Sequence, residues 1–233
     1  MFNRRPTERP DPADLDLQSG TVTRVAQQKK DPDRASVFID DAFAFGLDVE
    51  LVVKEGVRKG VHLSAEQQRA LLAYQEVYAA KAAALGYVSD RARTTDEVRT
   101  MLLRRGFDAD LAEDTVADVQ RLGLLDDAAY AHAFARSRFD ARGYGPARIR
   151  QDLMKRGVAR GFIDDALAEL PSDEVGDAAQ EQAATKWRTL SAEEDLRKRK
   201  KKTMDFLVRR GFSYGDARDA VDALARDEED IWE

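Results

Sequence analysis

The sequence has no cysteine, only two histidines (His62 and His132), and no proline between Pro32 and Pro146. Each absence excludes something. Without thiols there is no disulfide, no thiolate nucleophile and no Cys-based zinc site. The two histidines have no ligand-spaced neighbours, and neither a glycine-rich phosphate loop nor a nucleophile elbow is present. No metal, cofactor or catalytic residue is therefore expected. No apolar run approaches the roughly 18 residues needed to cross a bilayer. The opening MFNRRPTERPDP lacks the apolar core of a signal peptide. These features predict a soluble, cytoplasmic protein with no membrane partner. The long proline-free span leaves helices free to run on.

What the chain does contain is charge. Charged residues make up 35% of its 233 positions and hydrophobic ones 43%, a balance suited to thin helical layers rather than one thick core. The net charge of −6 gives no bulk reason to expect a nucleic-acid partner, but the charge is unevenly spread. Residues 136–160 hold eight Arg/Lys against Asp140 and Asp152, a net of +6. Residues 213–233 hold eight Asp/Glu against Arg218 and Arg226, a net of −6. Such polarity suggests a partner that meets one part of the chain and avoids another.

Residues 1–19, with Pro6, Pro10 and Pro12 and few apolar groups, read as a flexible tail. From Gly20 the period becomes two. Thr21–Val25, Ser36–Ile39 and Ala42–Phe45 predict a three-stranded element with a tight turn at Asp40-Asp41. Asp48–Val57 predicts a short helix ended by Gly56, and the small β element with this helix spans 20–63. After Leu63 the pattern is helical. Ser64-Ala65-Glu66-Gln67 is a capping box opening a helix that reaches about Val88, and Thr94-Thr95-Asp96-Glu97 is a second one.

Three helix ends superpose in sequence. Leu102–Phe107, Leu153–Val158 and Leu207–Phe212 each place two cations before a glycine, with the glycines 51 and 54 residues apart. Each glycine suits a left-handed C-cap, with the cations against the negative helix end. Beyond each, apolar residues recur at +6, +10 and +13: Ala112, Val116 and Val119, then Ile163, Leu167 and Leu170, then Ala217, Val221 and Leu224. The expected fold is all-α: three tandem three-helix repeats over 64–122, 123–171 and 172–233 in an elongated curved array, preceded by the β element. Asp126-Asp127 predicts the start of a helix with Tyr130, Ala133, Phe134 and Ser137 on one face, Tyr130 and Phe134 being core.

The run Leu102–Phe107, then Gly123-Leu124-Leu125-Asp126-Asp127 with Tyr130-Ala131, Ser137-Arg138, Gly145-Pro146-Ala147-Arg148-Ile149 and Leu153–Gly157 resembles the RecX family of RecA regulators. Val37–Phe45 followed by Arg58-Lys59-Gly60 resembles the region that precedes the helices in that family. The likeness covers roughly 20–226 and is strongest over 97–170. It implies tandem three-helix repeats and no catalytic activity. It further implies binding to the RecA filament on single-stranded DNA, in the filament's groove. The outcome would be modulation, mainly inhibition, of ATP hydrolysis, strand exchange and co-protease activity. A monomer acting in DNA repair, recombination and the SOS response is the corresponding expectation. A RecA-independent DNA- or RNA-binding helical repeat is the other reading.

The residues expected to meet RecA or DNA are Arg136, Arg142, Arg148, Lys155 and Arg160. On the helix from Pro146 to Arg156, Ile149 and Leu153 point inward, whereas Arg148 and Lys155, seven apart, share an outward face. Tyr144, between two glycines, is a candidate for base stacking. The run Arg197–Lys202 is a second candidate for non-specific nucleic-acid contact, against a solvated helix start. The acidic DEEDIWE end is expected to be solvated. Arg105, Arg156 and Arg210 are expected to cap and pack. The carboxylate pairs Asp40-Asp41, Asp126-Asp127 and Asp164-Asp165 have turn and cap roles, because adjacent helical residues diverge by about 100° and cannot share a metal.

Overall fold

A computed structural model of the chain describes residues 15–230, the last four by backbone alone. The expected tail at 1–19 lies mostly outside the described residues, and the side chains of DEEDIWE lie outside them altogether. The chain divides into two compact units. One takes everything up to Arg91 together with Val98–Leu122, and the other takes Ala92–Glu97 with everything from Gly123 onward.

The first unit begins with a sheet of β1 (Gly20–Gln27), β2 (Arg34–Ile39), β3 (Ala42–Asp48) and β4 (His62–Leu63), in the order β3-β2-β1-β4. The sequence predicted three strands. The fourth is two residues long, too short to show a period, and is held by the pairs Gly20↔Leu63 and Thr21↔His62. Alternation holds on β2, where Ala35, Val37 and Ile39 are buried. Asp40 and Asp41 take φ of 47° and 66°, as a two-residue turn between right-twisted strands requires. Asp is among the few residues that tolerate this region. The short helix α1 (Val49–Lys54) follows.

Helix α2 (Ala65–Asp90) opens on both bonds of the Ser64/Gln67 capping box. Its Leu71 joins Val22, Val37, Phe45, Leu47 and Leu51 in one core. Two buried glutamines tie it to the sheet region. The Gln68 amide donates to the carbonyls of Gln18 (2.8 Å) and Leu63 (3.1 Å). The Gln75 Oε1 accepts from the Asp48 N–H at 2.6 Å. Buried amides are stable only when paired in this way. Farther along, Ala80 and Ala84 are fully buried, and Lys81 pairs with Asp118 of α4 (Ala109–Arg121) at 2.6 Å. Between them lies α3 (Thr95–Arg104).

The second unit contains α5 (Asp127–Arg142), α6 (Pro146–Met154), α7 (Arg160–Ala168), α8 (Ser172–Arg188), α9 (Leu196–Arg210) and α10 (Tyr214–Asp230). They share one core that includes Ile149, Leu153, Ile163, Trp187, Leu207 and Phe212. With α2–α4, the described helices after Leu63 fall into the predicted three sets of three. One face was misjudged. On α5 the buried stripe is Ala131, Ala135 and Phe139, whereas Tyr130 and Phe134 are half-buried and Ala133 and Ser137 exposed. Small residues let α5 approach its neighbours closely, and the aromatic rings stand at the edge of that contact.

All three predicted glycine caps form. Gly106, Gly157 and Gly211 have φ of 82°, 74° and 96°. The residue after each glycine donates its N–H to the carbonyl six places in from the end: Phe107 to Leu102 (3.2 Å), Val158 to Leu153 (3.3 Å) and Phe212 to Leu207 (3.2 Å). Each glycine N–H donates one position later, which completes the Schellman pattern. Both apolar partners of each cap are buried.

Candidate partner-binding surface

Caps in the second unit also dock. The carbonyl of Arg210 accepts from the Gly145 N–H (2.9 Å) and that of Gly211 from the Ala147 N–H (3.0 Å), joining the end of α9 to the start of α6. In the same way the Arg156 carbonyl, at the end of α6, accepts from the Thr94 hydroxyl (2.6 Å) at the start of α3. Next to it the Asp127 carboxylate accepts from the Thr95 N–H (2.9 Å) and hydroxyl (2.7 Å). Each of these two caps therefore seats on the first residues of the preceding repeat's middle helix. The recurrent second arginines hold these joints. Arg210 donates to the Arg142 carbonyl (2.6 Å) and lies 5.0 Å over the Phe206 ring. Arg156 faces Glu97 at 3.8 Å and Phe134 at 4.9 Å.

This framework separates the five candidate cations. Arg136 is held by Glu174 (2.9 Å) and Asp140 (2.8 Å), which raise its already high pKa. Arg160 pairs with Asp164 at 3.5 Å. Arg148 does not share an outward face with Lys155. It is half-buried at the joint with Gly211, faces Asp152 at 3.5 Å and lies 5.7 Å from the Tyr144 ring. Helical spacing alone missed this because the covering group comes from α9, far away in sequence. Only Arg142 and Lys155 of the five are exposed with no ion-pair partner among the described residues. Tyr144, flanked by Arg148 and Arg210, packs against the core.

The run Arg197–Lys202 is likewise divided. Arg199 turns inward, 4.3 Å from the Trp187 ring, and donates to the Trp187 carbonyl. Lys198 pairs with Asp195 (3.6 Å) and Lys202 with Glu193 (2.5 Å). Lys202 holds the Glu193 carboxyl below its usual range, and the backbone N–H groups of Lys198 and Arg197 do the same for Asp195. The helix start is capped, not frayed.

Sequence reasoning missed one recurring feature. Leu103, Met154 and Val208 occupy the same repeat position, three before the glycine, and are 42%, 62% and 47% exposed. Each is followed by an exposed cation without an ion-pair partner among the described residues: Arg104, Lys155 and Arg209. The aligned repeat carried this signal, since the preceding leucine alone is needed for the core. Beside Met154, a cavity of about 400 Å³ is lined by Val158, Ile163, Arg150 and Arg160. Arg150, then Arg160, holds the Asp164 carboxyl there below its ordinary range.

Among the described residues no group of three or more His, Asp or Glu side chains could hold a metal. No described helix is long and apolar enough to cross a membrane.

Comparison with known proteins bears on the whole chain. Residues 20–64 match the regulatory protein RecX N-terminal domain. Residues 80–118, 126–167 and 173–221 match the first, second and third three-helix domains of RecX. The chain belongs to the RecX family. Regulatory protein RecX of Leuconostoc citreum is 32% identical over 205 residues, covering 88% of this chain and 76% of that one. Its counterpart in Clostridium perfringens strain 13 is 28% identical over 210 residues, covering 90% and 98%. A crystal structure of regulatory protein RecX aligns with a TM-score of 0.66 at 24% identity, covering 84% of this chain and 96% of that one. RecX from Lactobacillus salivarius aligns with 0.60 at 24% identity, covering 64% and 97%. At these identities the likeness shows the fold, which is that of RecX: a small antiparallel sheet and three three-helix domains.

Proposed function

We propose that this chain is a non-enzymatic, cytoplasmic regulator that binds the RecA recombinase filament on single-stranded DNA as a monomer. It modulates, mainly by inhibition, the filament's ATPase, strand-exchange and co-protease activities. The observation that carries this reading is membership of the RecX family across the β element and all three helical domains. The surface chemistry agrees with stoichiometric binding. One exposed apolar side chain beside one unneutralised cation recurs in each repeat, as Leu103/Arg104, Met154/Lys155 and Val208/Arg209. Such a pair suits a protein surface that offers an apolar side chain next to a carboxylate. Of the five predicted cations, Arg142 and Lys155 make the intermolecular contacts, while Arg136, Arg148 and Arg160 are engaged within the chain.

The test is a titration of the protein into RecA hydrolysing ATP on single-stranded DNA, beside a measurement of DNA binding without RecA. Inhibition at or below equimolar protein, with no stronger intrinsic DNA affinity than RecA has, is the expected result. Tight DNA binding with no effect beyond competition for DNA would establish the RecA-independent reading instead.

A further inference from the structure

The solvent face of the sheet carries a feature the helical repeats do not explain. Two bulges interrupt the ladders. On β1 the register passes from Val22↔Ile39 to Arg24↔Phe38, leaving Thr23 as the extra residue. On β3 it passes from Val37↔Phe45 to Phe38↔Phe43, leaving Ala44 as the extra residue. Bulges bend a strand and re-aim its side chains, and they concentrate near sites of function. Here the second bulge brings Phe43, in place of Ala44, directly opposite Phe38. The result is one cross-strand row, Arg24–Phe38–Phe43, on the face opposite the core residues Val22, Val37 and Phe45.

The row is organised but incomplete. The Arg24 guanidinium lies 3.8 Å from the centre of the Phe38 ring, and the Phe38 and Phe43 rings meet edge to face at 5.9 Å and 78°. Phe43 is 60% exposed. Arg24 is exposed and has no carboxylate partner among the described residues, so its donors face solvent. A cleft of about 460 Å³ beside the row is lined by Thr23, Arg24, Val25, Phe38, Asp41 and Lys59, one net positive charge. Exposed Arg58 adds another next to Lys59. The Thr23 hydroxyl is already engaged, accepting from the Asp41 N–H (3.0 Å) and donating to the Phe38 carbonyl (3.3 Å), so it stiffens the bulge.

We propose that the Arg24–Phe38–Phe43 row with Lys59 is a binding site for single-stranded nucleic acid. A base stacks on the exposed Phe43 ring, and Arg24 and Lys59 take the neighbouring phosphates. Aromatic faces beside unpaired cations are how sequence-tolerant single-strand sites are built, because every base has a π-face. An acidic peptide would use the cations but leaves an exposed phenylalanine without a stacking partner. The site is independent of RecA, so its test does not stand or fall with the regulatory reading.

The experiment is fluorescence anisotropy of a dye-labelled oligo(dT) with the full-length protein at low salt, without RecA. Phe43→Ser should weaken binding roughly 5- to 150-fold, the range for loss of one stacked base. Phe43→Trp should restore it. Arg24→Ala should weaken binding and reduce the slope of log affinity against log salt by about 0.7, one phosphate contact on a single strand. Unchanged circular dichroism and melting temperature would place these effects on binding rather than folding. The proposal is overturned by absence of oligo(dT) binding in the wild type, or by wild-type affinity in Phe43→Ser. It is also overturned if Arg142→Glu with Lys155→Glu abolishes oligo(dT) binding that Phe43→Ser leaves intact. Loss of RecA inhibition by Phe43→Ser with unaltered DNA binding would assign the row to a protein partner instead.

Discussion

Replacing Gly211 by alanine tests whether the helix caps are also the joints between repeats. Gly123 and Gly211 are among the glycines of the second unit with positive φ, of 72° and 96°. At each, an L-residue in this region costs about 1–2 kcal/mol. The lower entropy of the unfolded alanine chain returns about 0.4–1 kcal/mol of that. Nothing lies within 4 Å of a Cβ built on Gly123, so Gly123→Ala should cost only this residue, near 1 kcal/mol. A Cβ on Gly211 overlaps the Arg148 backbone. Relieving the overlap means moving α9 from α6, an overpacking cost of about 1–3 kcal/mol. It also stretches the bonds from Gly145 and Ala147 to Arg210 and Gly211, each worth about 0.5–1.5 kcal/mol. Gly211→Ala should therefore lose roughly 2–6 kcal/mol more than Gly123→Ala. Urea unfolding followed by circular dichroism reads both variants, since both glycines belong to one compact unit. Equal midpoints for the two variants would refute the docking argument and leave the glycine as a helix terminator only.

The same repeat position separates core from surface: Leu153→Ala should cost about 2–5 kcal/mol and its neighbour Met154→Ala less than about 0.5, by the same urea assay. Acid should destabilise the second unit. Arg150 and Arg160 lower the Asp164 pKa and Lys202 lowers that of Glu193, so their stabilisation is present above the usual carboxylate range, about pH 4. It is lost as pH falls through the lower folded values. Asp164→Asn with Glu193→Gln should flatten the urea midpoint between pH 5 and pH 3, in units set by the ordinary carboxylate pKa, and an unchanged profile would count against these pairs. Arg142→Glu with Lys155→Glu should raise the protein concentration for half-inhibition of RecA by at least roughly 2- to 30-fold, from about 0.2–1 kcal/mol per exposed pair lost. Inhibition equal to wild type would remove both residues from the interface.

Local signals were legible wherever the cause was local. The Ser64/Gln67 box, the Asp40-Asp41 turn and the three glycine caps depend on a few adjacent residues, and each formed where the pattern placed it. The stripe at +6, +10 and +13 was equally plain, because one helix face must be apolar to be buried. What the sequence hid depends on distant partners. Arg148 reads as an outward cation until the end of α9 covers it, and Arg136 reads as free until α8 brings Glu174 beside it. The α5 stripe was misread because ring size was weighed above close packing, which favours alanine. Leu103, Met154 and Val208 carry no local sign of their exposure, because an apolar residue beside a core leucine cannot be told from core by its type.

The caps also explain why charge gathers where it does in the third repeat. The start of α3 carries the cap of α6 through Thr94 and the Arg156 carbonyl, and the start of α6 carries the cap of α9 through Gly145 and the Arg210 carbonyl. The start of α9 is the equivalent position in the third repeat, and there the capping group is a side chain of the same segment. At that point the sequence reads Asp195-Leu196 followed by six cations. The Asp195 carboxylate accepts from the Arg197 (3.0 Å) and Lys198 (3.2 Å) N–H groups, doing alone what a neighbouring cap assists elsewhere. Arg199 covers the Trp187 ring, and Lys198 and Lys202 neutralise the flanking acids. A run that looks like a nucleic-acid tract is thereby largely accounted for as a capped helix start whose cations are engaged within the chain. That leaves Arg142 and Lys155, together with Arg24 on the sheet face, as the cations proposed for partner contact.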